Sequence, residues 1–214
     1  MTYHLLSFFL RLFSYLPFCL LYIISDGLYF LVYYIFRYRR RIVRKNLTES
    51  FPEKSEHDIK EIEKKFYSFF TDNMLESLKM FTISRKEMIQ RVKFMNVEEV
   101  NALMRSGKSV SLFLGHYSNW EWMSSIPLHI DKNVIGAQIY HKLSNKNMDR
   151  LMLYIRERMG AVCVEMRKTA RYVNELATEN KVCIIGFIAD QSPRKKDSRH
   201  FLHFLNHKDR KSVV

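Results

Sequence analysis

The chain has 214 residues, with 35 Lys+Arg against 22 Asp+Glu, 47% apolar residues, 6 Gly and 4 Pro. That length suits one domain, and 16 Phe with 12 Tyr exclude a disordered tail, a collagen-like fibre or a low-complexity linker. The net charge of +13 leaves three partner classes: nucleic acid, an anionic membrane surface, or an acidic protein or phosphorylated substrate. Cys19, Cys163 and Cys183 are too scattered for a disulfide scaffold and form no CxxC metal pair, which suits a reducing, cytosol-facing setting.

The first element is apolar. Between Leu12 and Phe36 the only charge is Asp26, and as one helix these 25 residues would measure about 37 Å, enough for a hydrocarbon core of about 30 Å. Asp26 near the middle costs about 2.5–3.5 kcal/mol on insertion scales, so a buried or interfacial helix pair, broken at Pro17 and around Asp26-Gly27, is the alternative. The run is too long and aromatic for a secretory leader and has no small-residue cleavage site. Residues 1–36 are read as a membrane-inserting segment. Arg37, Arg39, Arg40, Arg41, Arg44 and Lys45 follow directly, which places the rest of the chain on the cytoplasmic side, with the basic cluster at lipid headgroups. Arg11 and Asp26 are the only Lys, Arg, Asp or Glu residues before Arg37, so the whole positive excess lies after Phe36.

Downstream, apolar residues at helical spacing (Ile59, Ile62, Phe66, Phe69, Phe70, Met74, Leu75, Leu78) predict a helix over 55–82 capped by Ser55. An extended stretch is predicted at 92–95 and a helix at 97–104. Ser109–Leu114 reads as a buried strand, and Trp120–Ile126 as a helix ended by Pro127. Strands at 133–140, 161–165 and 181–189 alternate with helices at 146–159 and 168–178. Such alternation of helices with apolar strands predicts an α/β fold whose mostly parallel sheet is covered by helices. Residues 37–208 form the expected main domain and 209–214 an unassigned tail. The last strand signal is followed by no closing helix, and the chain is expected to stop short of its natural end.

Chemistry concentrates in Gly115-His116-Tyr117-Ser118-Asn119-Trp120-Glu121, directly after the 109–114 strand, where α/β folds place active sites. Five residues on a regular α-helix rotate through about 140° net, so His116 and Glu121 would not share a face. They meet if His116 lies in the turn, Asn119 or Ser118 caps the helix and Glu121 occupies its first turn. A carboxylate there would orient one imidazole nitrogen and raise the basicity of the other, making a general base for a hydroxyl. The bland alternative is a histidine cap with Glu121 complementing the helix dipole.

These residues resemble the lysophospholipid-type acyltransferases, in the branch of the late lipid A (lauroyl and myristoyl) acyltransferases. The HxxxxD/E motif matches His116 and Glu121, and the branch's Asn-Trp-Glu ending matches Asn119-Trp120-Glu121. The resemblance includes the apolar segment, Tyr38-Arg39-Arg40, Asn46-Leu47, Phe51-Pro52 and Asp190-Gln191, and runs to about Asn206. It implies a glycerol-3-phosphate acyltransferase-like fold, with His116 deprotonating an acceptor hydroxyl and Glu121 orienting the histidine. It also implies substrate-binding roles for Arg156, Asn119, Asp190 and Gln191, with Arg156 on phosphate or the charged transition state. The implied donor is an acyl thioester on acyl carrier protein, and the acceptor a lipid A precursor or related anionic glycolipid. No metal or cofactor is called for, and the implied location is the inner membrane with the catalytic domain on its cytoplasmic face. Ser118 departs from the glycine usual in the branch.

Three other readings stay in view. Arg156, beside Glu157 and Arg158, could face solvent, and Asp190 could begin a turn before Ser192-Pro193. The chain could be a non-catalytic, membrane-attached lipid-binding relative, or an acyltransferase acting on another lysolipid. His200, His203 and His207 have metal-like spacing, the last pair sharing a helical face, but a zinc site needs more converging ligands. Lys142, Lys146, Arg194, Lys195 and Lys196 read as solvated loop charges. No Gly-rich phosphate loop or nucleophile elbow is present, and the basic residues gather by the membrane segment, which argues against nucleic acid.

Overall fold

The computed structural model describes residues 3–190, with the backbone of 201–210 and, within it, the side chains of Leu205 and Asn206. The chain forms two compact units: Met1–Tyr15 with Ser77–Ala189, and Leu16–Glu76 with Asp190–Val214.

The first unit is built on a parallel four-stranded sheet. Its strands are β1 (Val110–Leu114), β2 (Ile135–Tyr140), β3 (Val162–Glu165) and β4 (Cys183–Ile188), in the order β1-β4-β2-β3. The most continuously apolar strand, β4, is interior, paired Val110 to Ile184 on one side and Ile135 to Cys183 on the other. Because side chains alternate along a strand, β4 feeds two cores. Cys183 and Ile185 join Ala137, Val164 and Leu176 on one face, while Ile184 joins Met104 and Ile130 on the other. Leu176 comes from α8 (Thr169–Thr178) and Met104 from α6 (Val97–Arg105), so helices cover both faces. β1, expected to be buried, is an edge strand whose Ser111 and Phe113 are exposed. The 92–95 stretch, which follows helix α5 (Arg85–Arg91), adds no strand, although Val92 is extended.

Helix α1 (Tyr3–Ser14) belongs to this unit as well. Its Ser14 carbonyl accepts hydrogen bonds from Lys79 Nζ at 3.0 Å and Thr82 Oγ1 at 2.6 Å, a long-range cap for the helix C-terminus. Burial pushes the Lys79 ammonium below its ordinary value. α1 therefore stops at Ser14, and Pro17 begins a separate helix, α2 (Phe18–Phe30), which continues as a π-helical turn over Leu31–Ile35. The expected 25-residue helix is thus divided at Pro17, while Asp26-Gly27 leaves α2 intact. Phe18–Ile35 is one helical run of 18 residues with mean hydropathy 1.7, long and apolar enough to cross a membrane.

The second unit contains α2, the basic helix α3 (Arg40–Ser50) and most of α4 (Glu56–Lys79). Ser55 caps α4 as expected, accepting from the Asp58 amide at 3.2 Å. The buried stripe of α4 differs from the expected one. It runs Ile59, Glu63, Tyr67, Thr71, Leu75, and Phe66, Phe69 and Met74 are exposed. Glu63 is admitted to this stripe because Arg40 and Arg44 of α3 both pair with its carboxylate. Near the chain end, β5 (Phe201–Phe204) and β6 (His207–Arg210) form an antiparallel hairpin, turned by Leu205 and Asn206 at φ 48° and 61°. His203 and His207 therefore lie on strands and share no helical face, and β6 runs into the segment expected to be an unassigned tail. His200 lies outside the described residues.

Candidate active site

β1 ends at Leu114 and delivers the chain to an exposed turn carrying His116 and Tyr117. The chain turns at Ser118, whose φ of 53° lies in the left-handed region. That backbone suits glycine, the residue the motif resemblance leads one to expect at this position. Asn119 then occupies the N-cap position of a 3₁₀ helix, Trp120–Leu128, and its side chain makes no capping hydrogen bond. The helix start is held by backbone bonds, Trp120 N–H to Ser118 O and Trp122 N–H to Asn119 O, each 3.1 Å. Pro127 lies inside this helix instead of ending it. The His116 imidazole meets the Trp120 indole edge-on, with ring centroids 4.9 Å apart.

Glu121 lies in the first turn of the 3₁₀ helix, as expected. Its carboxylate is held from the last turn of α7 (Lys146–Glu157) by Arg156, Nε to Oε2 at 2.7 Å and Nη2 to Oε1 at 2.5 Å. The side chains are only 20% and 12% exposed, which rules out a solvated-face role for Arg156. Burial alone would lower the guanidinium's pKa, but the hydrogen bond and charge of Glu121 outweigh it and raise the value. A two-pronged Arg–carboxylate pair fixes both rotation and position of the carboxylate. It occupies one lone pair on each oxygen and leaves others for a further donor.

The support behind Glu121 is tightly specified. Ser124, 1% exposed, donates to the Glu121 carbonyl at 2.7 Å. Pro127 presses on β2 at Gly136, where an added Cβ would stand 2.7 Å from Pro127 Cγ. Beneath the 3₁₀ helix, Leu112, Leu114, Met123, Ala137 and Ile184 line a cavity of about 20 Å³, too small for a lipid chain. Two supporting residues escape the sequence patterns. Buried Asp149 accepts from the Leu143 amide at 2.8 Å, fastening the loop before α7. Arg158 donates to the carbonyls of Met80 and Ile83 and so ties the end of α7 to the turn after α4. A helix with acidic and basic neighbours gives no sequence signal separating these roles from a solvated face.

Asp190 is exposed two residues beyond β4, and Gln191 and the 194–196 cluster lie outside the described residues. Lys142 and Lys146 are exposed. Among the described residues no group of three His, Cys, Asp or Glu side chains could hold a metal ion.

The chain matches the family described as bacterial lipid A biosynthesis acyltransferase over residues 1–212. It belongs to that family. The match extends past Asn206, where the motif-based resemblance ends, and it makes the chain an acyltransferase enzyme of lipid A biosynthesis. No curated relative matches the chain.

Proposed function

We propose that this acyltransferase moves a fatty acyl group from an acyl thioester on acyl carrier protein to a hydroxyl of a lipid A precursor at the cytoplasmic face of the inner membrane. The supporting observation is the placement of an exposed His116 at the turn after β1, with Glu121 of the next helix clamped by Arg156. In this reading His116 takes the proton of the acceptor hydroxyl as its oxygen attacks the thioester carbonyl. The tetrahedral intermediate then collapses, the ester bond remains, the carbon–sulfur bond breaks, and the proton passes from His116 to the departing thiolate. Glu121 orients the imidazole and stabilises its cationic form. Arg156 acts through Glu121 as a positioning residue, because its guanidinium is committed to that carboxylate. Asn119, Asp190 and Gln191 remain proposed substrate contacts.

The net charge of +13 complements both proposed substrates, an acidic carrier and an anionic glycolipid. Membrane attachment is assigned to the apolar run Phe18–Ile35, followed in sequence by the basic cluster from Arg37. The test is transfer of labelled acyl chains from acyl carrier protein to lipid A precursors by the full chain in lipid vesicles. Product on the precursor supports the reading, whereas transfer only to a lysophospholipid overturns the acceptor assignment. Equal use of acyl-coenzyme A would remove the carrier from the donor role.

A further inference from the structure

α1 carries two apolar faces. One face, carrying Leu6, Leu10 and Phe13, is half-buried in the catalytic unit, and Ser14 at its end is fully buried. The other presents Leu5, Phe8, Phe9 and Leu12 to solvent at 47–61% exposure, with Tyr15 just beyond. The spacing i, i+3, i+4, i+7 makes these four one continuous stripe.

The helix is bolted in place. Lys79 and Thr82 cap its Ser14 carbonyl, and Arg11 Nη2 reaches the Tyr154 hydroxyl of α7 at 2.6 Å. At the other end, the Arg150 guanidinium of α7 lies 4.2 Å from the Tyr3 ring centroid. Exposed cations therefore flank the apolar stripe near both ends. Only Leu16 and Pro17 separate α1 from the apolar run that begins at Phe18.

We infer that α1 lies in the plane of an anionic bilayer surface, its Leu5-Phe8-Phe9-Leu12 stripe sunk among the headgroups and Arg11 and Arg150 facing lipid phosphates. Three observations select this occupant. The stripe is apolar along its whole length, it is flanked by guanidinium groups, and it adjoins in sequence the run assigned to membrane attachment. An in-plane helix of this kind buries its apolar face about 5–10 Å into the headgroup and acyl boundary. The consequence is orientation of the catalytic unit itself. α1 is fixed to α7 through Tyr154 and Tyr3, α7 is fixed by Arg158 to the 80–83 turn, and α7 carries the Arg156 that holds Glu121.

The inference rests on the membrane reading of α2, so the experiment separates the two. Nitroxide labels are placed singly at positions 5, 8, 12 and 23 of the full chain, with Cys19, Cys163 and Cys183 replaced by Ser, in phosphatidylglycerol/phosphatidylcholine vesicles. The expected result is equal, shallow lipid depth at 5, 8 and 12. A helix entering end-on would instead separate positions 5 and 12 by about 10 Å in depth, and would overturn the inference. Water exposure at 5, 8 and 12 with lipid contact at 23 also overturns it while leaving the membrane reading intact; water exposure at all four overturns both. Spin–spin broadening between copies without lipid contact would assign the stripe to a second copy of the chain. If the cysteine-free chain fails to fold, Phe8→Trp and Leu12→Trp quenched by brominated lipids give the same comparison, with the parent's quenching subtracted.

Discussion

Arginine holds the largely buried carboxylates of Glu63 and Glu121, one in each unit, and the two pairings differ. Glu63 in the second unit is 0% exposed and receives both Arg40 and Arg44, with the Arg40 guanidinium also 4.2 Å from the Tyr33 ring centroid. Glu121 in the first unit receives one arginine, is 12% exposed, and stands five residues after an exposed histidine. Both sit in a helix whose buried side would ordinarily exclude a charge. Desolvation works against the Glu63 anion, yet the hydrogen bonds and charges of its two arginines hold its pKa below the usual range. A carboxylate claimed from two sides has little left to offer a substrate or a base. One claimed by a single fork is oriented and still has lone pairs to give. In the proposed mechanism, that difference separates a structural tie from a support for the base.

The same substitution at both positions tests that separation. Glu121→Gln removes the charge proposed to orient the base and leaves Arg156 without its counter-ion. Acyl transfer should fall by about 10³-fold in kcat with the circular dichroism spectrum retained, in line with the loss expected for an orienting carboxylate. Arg156→Lys keeps the charge but loses the fork, and kcat should fall about tenfold with KM little changed. A rise in KM alone would instead place Arg156 on the substrate. Glu63→Gln should invert the pattern, lowering stability by about 3 kcal/mol, or a Tm drop of about 6 °C or more, while the folded enzyme keeps its kcat. Because the pKa of Glu63 is depressed on folding, its contribution is complete above the unfolded glutamate value and disappears as pH falls through the folded one. The Tm difference between parent and Glu63→Gln should therefore shrink on acidification below about pH 4. A constant difference would break the comparison.

Smaller perturbations address only the support behind Glu121. Gly136→Ala drives a methyl group against Pro127 and should cost about 1–3 kcal/mol of stability. It should also lower kcat severalfold by moving the 3₁₀ helix that carries Glu121. Ser118→Gly relieves a left-handed serine and should raise stability by up to about 1 kcal/mol, measured by thermal melting, with kcat within a factor of two. A large rate loss in Ser118→Gly would mean the serine side chain takes part in the site.

The sheet and the His116–Glu121 turn were legible because their signals are local. An apolar run such as 181–189 fixes an interior strand, and a histidine directly after an apolar strand lands at a carboxyl end. What escaped depends on distant partners. The buried stripe of α4 includes Glu63 only because two arginines of α3 arrive there, so its apolar residues alone locate Ile59 and Leu75 but also include the exposed Phe66, Phe69 and Met74. Pro127 was expected to stop an α-helix, but nine residues are too few for periodicity to separate that from a 3₁₀ path, which accommodates the proline. The division at Pro17 places α1 in the first unit, an assignment set by Lys79 and Thr82 nearly seventy residues away. Asp149 and Arg158 bind backbone groups, a donor and two acceptors respectively, and such partners leave no mark in a sequence.

The most direct measurement is single-turnover acyl transfer by His116→Ala, reconstituted with lipid A precursor and acyl carrier thioester, beside the parent enzyme. Loss of about 10²–10⁴ in the transfer rate, with the melting profile unchanged, is the predicted result for removal of a general base. Transfer at the parental rate would show that His116 is not the base, and the account of the site would be wrong.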